Sequence, residues 1–227
     1  MDRDALKRQV GEAAAAEVAD GMVVGLGTGS TAACFVEALI ARVRGGLHIT
    51  GIPTSERTAA QAQAGGIPLG SFATRPRIDL TVDGADQVER GTLNLIKGMG
   101  GALLREKIVA NASARLLIVV DEAKLVSRLD LPVPVEVVPF GWEVTDLALR
   151  ALGARTTRRA GPEGAAYVTD NGNFILDCAF GPISDPAGLD RGLRDLVGVV
   201  ETGLFIGRAA AVLVAGAEGV VRLEREA

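Results

Sequence analysis

The order of apolar and polar positions divides the first 120 residues into repeating strand and helix units. A charged amphipathic helix opens at Met1-Asp2-Arg3-Asp4, and Gly21-Met22-Val23-Val24-Gly25-Leu26 follows as a continuous apolar run, the pattern of a strand buried on both faces. Gly27-Thr28-Gly29-Ser30-Thr31-Ala32 turns directly into a helix that continues to about Arg44. The alternation repeats with a strand from Leu47 to Ile52, a helix from Ser55 to Ala64, a short strand from Ile67 to Leu69 and a strand from Ile78 to Asp83. A second glycine turn, Lys97-Gly98-Met99-Gly100-Gly101, opens a helix through Leu104-Arg105-Glu106-Lys107, and Leu116 to Val120 is another buried strand. This βα alternation predicts an α/β fold built on a Rossmann-like, doubly wound sheet.

The period changes at Leu131-Pro132-Val133-Pro134-Val135-Glu136-Val137-Val138-Pro139, whose prolines predict an extended connection rather than another parallel strand. Beyond it the pattern gives a helix from Trp142 to Leu152, a strand from Ala154 to Thr157 and a hairpin-like pair around Asp170-Asn171-Gly172-Asn173. A helix from Pro186 to Leu196 and a strand from Val199 to Ile206 complete an αββαβ-like set, the expected content of a smaller α+β, ferredoxin-like domain. The tail, Ala210 to Ala215 and Gly219 to Leu223, reads as a hairpin that rejoins the first domain. The expected division is therefore residues 1–130 plus 207–227, and residues 131–206.

Composition narrows the chemistry. The chain of 227 residues carries a net charge of −4, which gives no general attraction to nucleic acid or an anionic membrane surface, so an anionic ligand must be caught locally. No apolar run approaches membrane-spanning length and the N-terminus has no signal-like core; a cytoplasmic protein with a small-molecule partner is expected. Cys34 and Cys178 have no paired spacing, and His48 is the only histidine, so metal sites built on several histidines are excluded. Acid–base chemistry falls to Asp, Glu and Lys.

Three stretches can supply it. Gly27-x-Gly29-x-x-Ala32 fits the loose dinucleotide fingerprint, but the second strand runs into Gly51-Ile52-Pro53-Thr54-Ser55 without the acidic residue that would hold a ribose. Thr28, Ser30 and Thr31 instead add hydroxyl donors to a helix N-terminus, which suits a phosphate cradle or a hydroxyl-capped turn. Asp83-Gly84-Ala85-Asp86 ends a strand at the ligand edge of the sheet, where two carboxylates can hold sugar hydroxyls, bind a divalent ion or cap a turn. Lys97 and Lys124 can each neutralise an oxyanion or phosphate, or stand in solvent. At about 100° per residue Glu106 falls among Ala102, Leu103, Val109 and Ala110. Desolvation there raises its pKa toward that of a general base, and the adjoining helix N-terminus opposes the rise.

Gly25-Leu26-Gly27-Thr28-Gly29-Ser30-Thr31-Ala32, Asp83-Gly84-Ala85-Asp86, Lys97-Gly98-x-Gly100, Leu104-Arg105-Glu106-Lys107 and Val168-Thr169-Asp170-Asn171-Gly172-Asn173 together resemble ribose-5-phosphate isomerase type A, in the same order and over essentially the whole chain. The Pro132 to Pro139 segment is similar to that family's link into its second domain. Met99, Leu104 and Gln87 depart from the common pattern without replacing a catalytic group. The resemblance implies interconversion of D-ribose 5-phosphate and D-ribulose 5-phosphate through an enediolate, in the non-oxidative pentose phosphate pathway, without metal or redox cofactor. It implies that Glu106 moves the proton, and that Asp83, Asp86 and Lys97 bind hydroxyls, assist ring opening and stabilise the oxyanion. Thr28, Gly29, Ser30, Thr31, Gly84, Ala85, Gly98, Met99, Gly100 and Lys124 are the implied substrate contacts, and a homodimer the implied assembly. The alternatives are an NAD-dependent dehydrogenase using the first glycine turn and a non-catalytic sugar-phosphate sensor.

Overall fold

The computed structural model describes residues 2–225; Met1, Glu226 and Ala227, assigned by sequence to the first domain, lie outside the described residues. In chain order the elements are α1 (Arg3–Ala16), β1 (Val23–Leu26), α2 (Ser30–Arg44), β2 (Thr50–Pro53), α3 (Glu56–Gly65), β3 (Leu80–Asp83), β4 (Gln87–Glu89), β5 (Leu95–Ile96), α4 (Leu103–Asn111), β6 (Leu116–Asp121) and β7 (Leu125–Val126). There follow β8 (Val133–Val137), α5 (Trp142–Ala151), β9 (Arg155–Arg158), β10 (Phe174–Ala179), α6 (Pro186–Arg194), β11 (Val199–Thr202), β12 (Leu204–Phe205), β13 (Ala211–Gly216) and β14 (Gly219–Glu224).

The largest sheet runs β14-β13-β6-β3-β1-β2, parallel throughout except for β14. Because successive side chains point to opposite faces, β6 feeds two cores at once. Leu117 and Val119 join Val10, Ala14, Phe35 and Leu39 of α1 and α2. Leu116, Ile118 and Val120 join Val88, Leu95 and Phe205 on the other face. β1 lies between β2 and β3, so consecutive strands leave it in opposite directions, and the loops at its carboxyl end and that of β3 flank the resulting crevice.

The predicted Rossmann-like sheet and α+β companion are both present, with local differences. Residues 131–139 are not merely a connection: β8 is fully buried and central in a second sheet, ordered β11-β8-β10-β9 and antiparallel throughout. With β8 the set becomes βαββαβ in the ferredoxin-like order. Proline signals a break because it cannot donate to a ladder, but Pro134 keeps its carbonyl, which accepts from the Gly203 amide at 2.7 Å. The strand expected at 67–69 is a single bridge between Gly51 and Leu69. The Asn-Gly turn forms, with the Gly172 amide donating to the Thr169 carbonyl, but only its second arm is a strand. The strand expected over 199–206 breaks at Gly203: β11 pairs with β8, and β12 pairs with β5 in a third sheet, β12-β5-β4-β7. Strands of two or three residues are too short to leave a period in the sequence.

Candidate active site

The turn after β1, the turn after β3, the glycine turn before α4 and the short helical turn after β6 meet over the crevice of the large sheet. They border an open cleft whose cavity volume is about 100 Å³. The first turn supplies Thr28, Gly29, Ser30 and Thr31, the second Gly84, Ala85 and Asp86, the glycine turn and α4 supply Gly98, Gly100 and, at the buried floor, Lys97 and Glu106, and the last turn supplies Lys124. Two residues named from sequence lie outside this lining. Asp83 sits beneath the cleft, and Met99 turns a half-exposed side chain away while its amide donates to Asp86 Oδ2 at 3.0 Å.

Under the cleft lies a cluster of buried charge. Lys97 Nζ is 3.0 Å from Asp83 Oδ2 and 3.3 Å from Glu106 Oε2, and it donates to the Gly84 carbonyl at 2.5 Å. Asp83, Lys97 and Glu106 are 1%, 2% and 3% exposed. Asp83 also accepts from the amides of Thr28 at 3.1 Å and Gly84 at 2.8 Å. Glu106 Oε2 faces the ammonium but makes no hydrogen bond, which leaves it the less satisfied of the two carboxylates. Burial pushes its pKa up to about 8, reinforced by Asp83 and opposed by Lys97. Burial pushes Asp83 up as well, against the pull of Lys97 and the two amides. Burial pulls Lys97 down, but Asp83 and Glu106 outweigh it and hold the ammonium well above the usual lysine range. For Glu106, desolvation together with the neighbouring carboxylates exceeds the pull of the Lys97 ammonium.

Glycine is required where Asp83 approaches the first turn, since a Cβ on Gly27 would lie 2.3 Å from Asp83 Oδ1 and 2.6 Å from its Cα. The hydroxyls of that turn divide their work. Thr28 Oγ1 is tied into a buried network with Thr54 at 2.7 Å, Ser55 at 2.8 Å and Thr58 at 3.2 Å. Ser30 and Thr31 open α2 at the cleft, where their hydroxyls and the helix N-terminus suit an anion. Among the described residues no group of three or more His, Cys, Asp or Glu side chains is placed to hold a metal ion.

Sequence reasoning missed the supports that come from the ferredoxin-like unit. Lys107 Nζ is buried against Glu201 Oε1 at 2.8 Å, the Thr202 carbonyl at 2.6 Å and the Leu204 carbonyl at 2.9 Å. Lys97 and Lys107 lie 5.4 Å and 4.8 Å from the centroid of the Phe205 ring. On the other side of Glu106, Arg105 reaches Glu56 at 2.7 Å, Asn171 Oδ1 at 3.1 Å and the Asp170 carbonyl at 3.1 Å. Arg159 donates to the carbonyls of Gly98 at 2.7 Å and Met99 at 3.2 Å. Lys107 and Arg105 adjoin Glu106 in sequence; Arg159, in a polar stretch more than 50 residues away, carries no local signal.

The comparisons with known proteins concern the sequence and the fold. The family model for ribose 5-phosphate isomerase A (phosphoriboisomerase A) matches residues 50–219. A ribose-5-phosphate isomerase A of Gloeobacter violaceus is 58% identical over 222 residues, spanning 97% of this chain and 96% of that protein. That of Gluconobacter oxydans is 53% identical, spanning 98% of both. The structure of ribose 5-phosphate isomerase A from Methanocaldococcus jannaschii superposes with a TM-score of 0.94 at 41% identity, covering 99% of this chain and 100% of that one. A D-ribose-5-phosphate isomerase in complex with phospho-erythronic acid gives 0.95 at 40% identity, with the same coverage. By sequence and by fold, the chain belongs to the ribose 5-phosphate isomerase A family.

Proposed function

We propose that this protein interconverts D-ribose 5-phosphate and D-ribulose 5-phosphate through an enediolate, with Glu106 as the base. The observation that carries the assignment of the base is the 3.3 Å approach of the Glu106 carboxylate to the Lys97 ammonium at the floor of the cleft. A carboxyl with a pKa near 8 is matched to taking a proton from carbon 2 and returning it to carbon 1 near neutral pH. Lys97 stays charged throughout, so it stabilises the developing oxyanion rather than supplying a proton. Asp83 holds Lys97 from below, and Asp86, at the cleft surface, meets the sugar hydroxyls and serves ring opening. Ser30, Thr31 and the α2 N-terminus, with Lys124 across the rim, suit the phosphate. The sugar's C2 proton moves to C1 and the O2 proton to O1, so no electron acceptor is required.

Phospho-erythronic acid, bound in a relative, carries a planar carboxylate next to a hydroxylated, phosphorylated chain and so mimics an enediolate. It is expected to inhibit this protein competitively and more tightly than substrate binds. Conversion of ribose 5-phosphate to ribulose 5-phosphate by the purified protein in the presence of a chelator tests the reading, and no turnover would sink it. The dehydrogenase alternative is disfavoured because Asp83 places its carboxylate on the Thr28 amide, where a pyrophosphate would need that donor. Titration with NAD is expected to give no saturable binding.

The same proposal extends to a cytoplasmic homodimer. No described helix is long and apolar enough to cross a membrane. Phe140 and Val197, each 94% exposed, and the exposed Val144 and Leu147 offer apolar surface to a second copy. Light scattering that returned the 23.4 kDa mass of one chain would remove the dimer. Within the chain, we take residues 1–130 plus 207–227 as the catalytic domain and 131–206 as the smaller one.

A further inference from the structure

Arg159 follows β9 and approaches the glycine turn from behind. Its guanidinium is held edge-on by Asp177 on β10, with Nε donating to Oδ2 at 3.0 Å and Nη2 to Oδ1 at 2.5 Å. The free arm of the fork donates to the carbonyls of Gly98 and Met99. Tyr167 lies beside it, the guanidinium 5.9 Å from the ring centroid, and fills the space at Gly101 so closely that a Cβ there would lie 2.0 Å from the tyrosine hydroxyl. Arg159 is thus fixed on both sides before it reaches the turn.

A trans peptide is planar, so drawing a carbonyl to one side turns the following N–H to the other. Arg159 and the Gly101 amide, which donates at 3.0 Å, together hold the Gly98 carbonyl and so aim the Met99 amide away from Arg159, where it meets Asp86 Oδ2 at 3.0 Å. Arg159 on the Met99 carbonyl likewise turns the Gly100 amide away from itself; that amide finds no acceptor among the described residues, and Gly100 lines the cleft shared with Lys97 and Glu106. We infer that Arg159 is a positioning residue for the isomerisation: through two carbonyls it orients the Gly100 amide as a donor to the sugar's oxygen and, through the Met99 amide, sets the carboxylate of Asp86. It touches no substrate. The inference rests on the isomerase reading for its kinetic consequences and on peptide geometry for the orientation itself.

Arg159→Met keeps the length and apolar stem of the side chain and removes both carbonyl contacts. Its kcat for ribose 5-phosphate is expected to fall about 10-fold or more while KM changes less than about threefold, because a misaimed donor fails in the transition state more than in the ground state. The acid limb of its kcat/KM profile should keep the wild-type midpoint, since Glu106 is untouched, and methylguanidinium should restore part of the turnover of Arg159→Ala. A kcat within about twofold of wild type, or a loss confined to KM, would overturn the assignment. If the Met variant does not fold, Arg159→Lys decides by kcat: one ammonium cannot reach Asp177 and both carbonyls together, so a wild-type value overturns the inference and a loss supports it. Hydrogen exchange gives a readout free of activity. Amides of 98–101 should exchange faster in the variant with those of α1 and α2 unchanged, and unaltered exchange at 98–101 would count against the orientation. Wild-type protein inert toward ribose 5-phosphate would sink the isomerase reading instead, leaving the exchange measurement to decide the geometry.

Discussion

At the residue scale, two carboxylates and one ammonium share a desolvated site, and the proposed chemistry rests on them. Glu106→Gln keeps size and hydrogen bonding but removes the base, and kcat is expected to fall by about 10²- to 10⁴-fold. In the wild type, kcat/KM should rise with pH along a limb with its midpoint near 8, the pKa of the free enzyme's base. A midpoint near the ordinary 4.5 would show that burial does not control this group. The same shift acts on stability. A carboxyl whose folded pKa exceeds its unfolded value binds protons more tightly when folded, so its contribution is complete below about pH 4.5 and is lost as pH rises through about 8. Glu106→Gln should therefore gain stability over the wild type between pH 5 and 8, by on the order of 3 kcal/mol, read as the difference in urea midpoints across that range. Lys97→Met has the opposite effect at high pH: it leaves Asp83 and Glu106 buried without a counter-charge and should destabilise the protein by about 3–5 kcal/mol, besides abolishing oxyanion stabilisation.

At the scale of elements, each site residue stands where one strand or helix ends. The β1 turn can approach β3 only because Gly27 lacks a side chain; Gly27→Ala would force Asp83 aside and should destabilise by about 1–3 kcal/mol with a larger fractional loss of turnover, measured by melting and by steady-state kinetics. α4 has only nine residues and a weakly apolar face, too little to fix a catalytic side chain by itself. Its anchors are the residues on either side of Glu106, Arg105 to the Asp170–Asn171 turn and Lys107 to β11 and the Leu204 carbonyl. Lys107→Met would leave Glu201 with only the half-exposed Arg194 as its cation and loosen α4, with a drop in kcat exceeding the rise in KM. Equal effects on both parameters would argue that Lys107 only binds the units together.

At the scale of the molecule, the parallel sheet and the ferredoxin-like sheet are tied together through a third. β12 continues from β11 of the ferredoxin-like sheet but pairs with β5 before α4, and Lys107 and Arg159 bridge the same gap. Unfolding is expected to be one cooperative transition with equal calorimetric and van't Hoff enthalpies; two resolved transitions would show that the units are energetically separate. The sequence by itself determined the alternation of strands and helices, because burial on both faces of a parallel sheet leaves unbroken apolar runs, and it determined the turns, because glycine, hydroxyl and aspartate residues there serve local backbone geometry. That Glu106, Asp83, Asp86 and Lys97 would come together was legible for the same reason, each lying within a short motif at an element's end. Tertiary structure alone decided that β8 is a central strand despite its prolines, since ladder partners come from residues 174–202. It alone placed Asp83 beneath the cleft rather than in it, tied up the Thr28 hydroxyl, and brought Arg159 to the glycine turn. The pKa of Glu106 belongs to this second class, because desolvation and the spacing of charges depend on residues remote in sequence that pack together only in the folded chain.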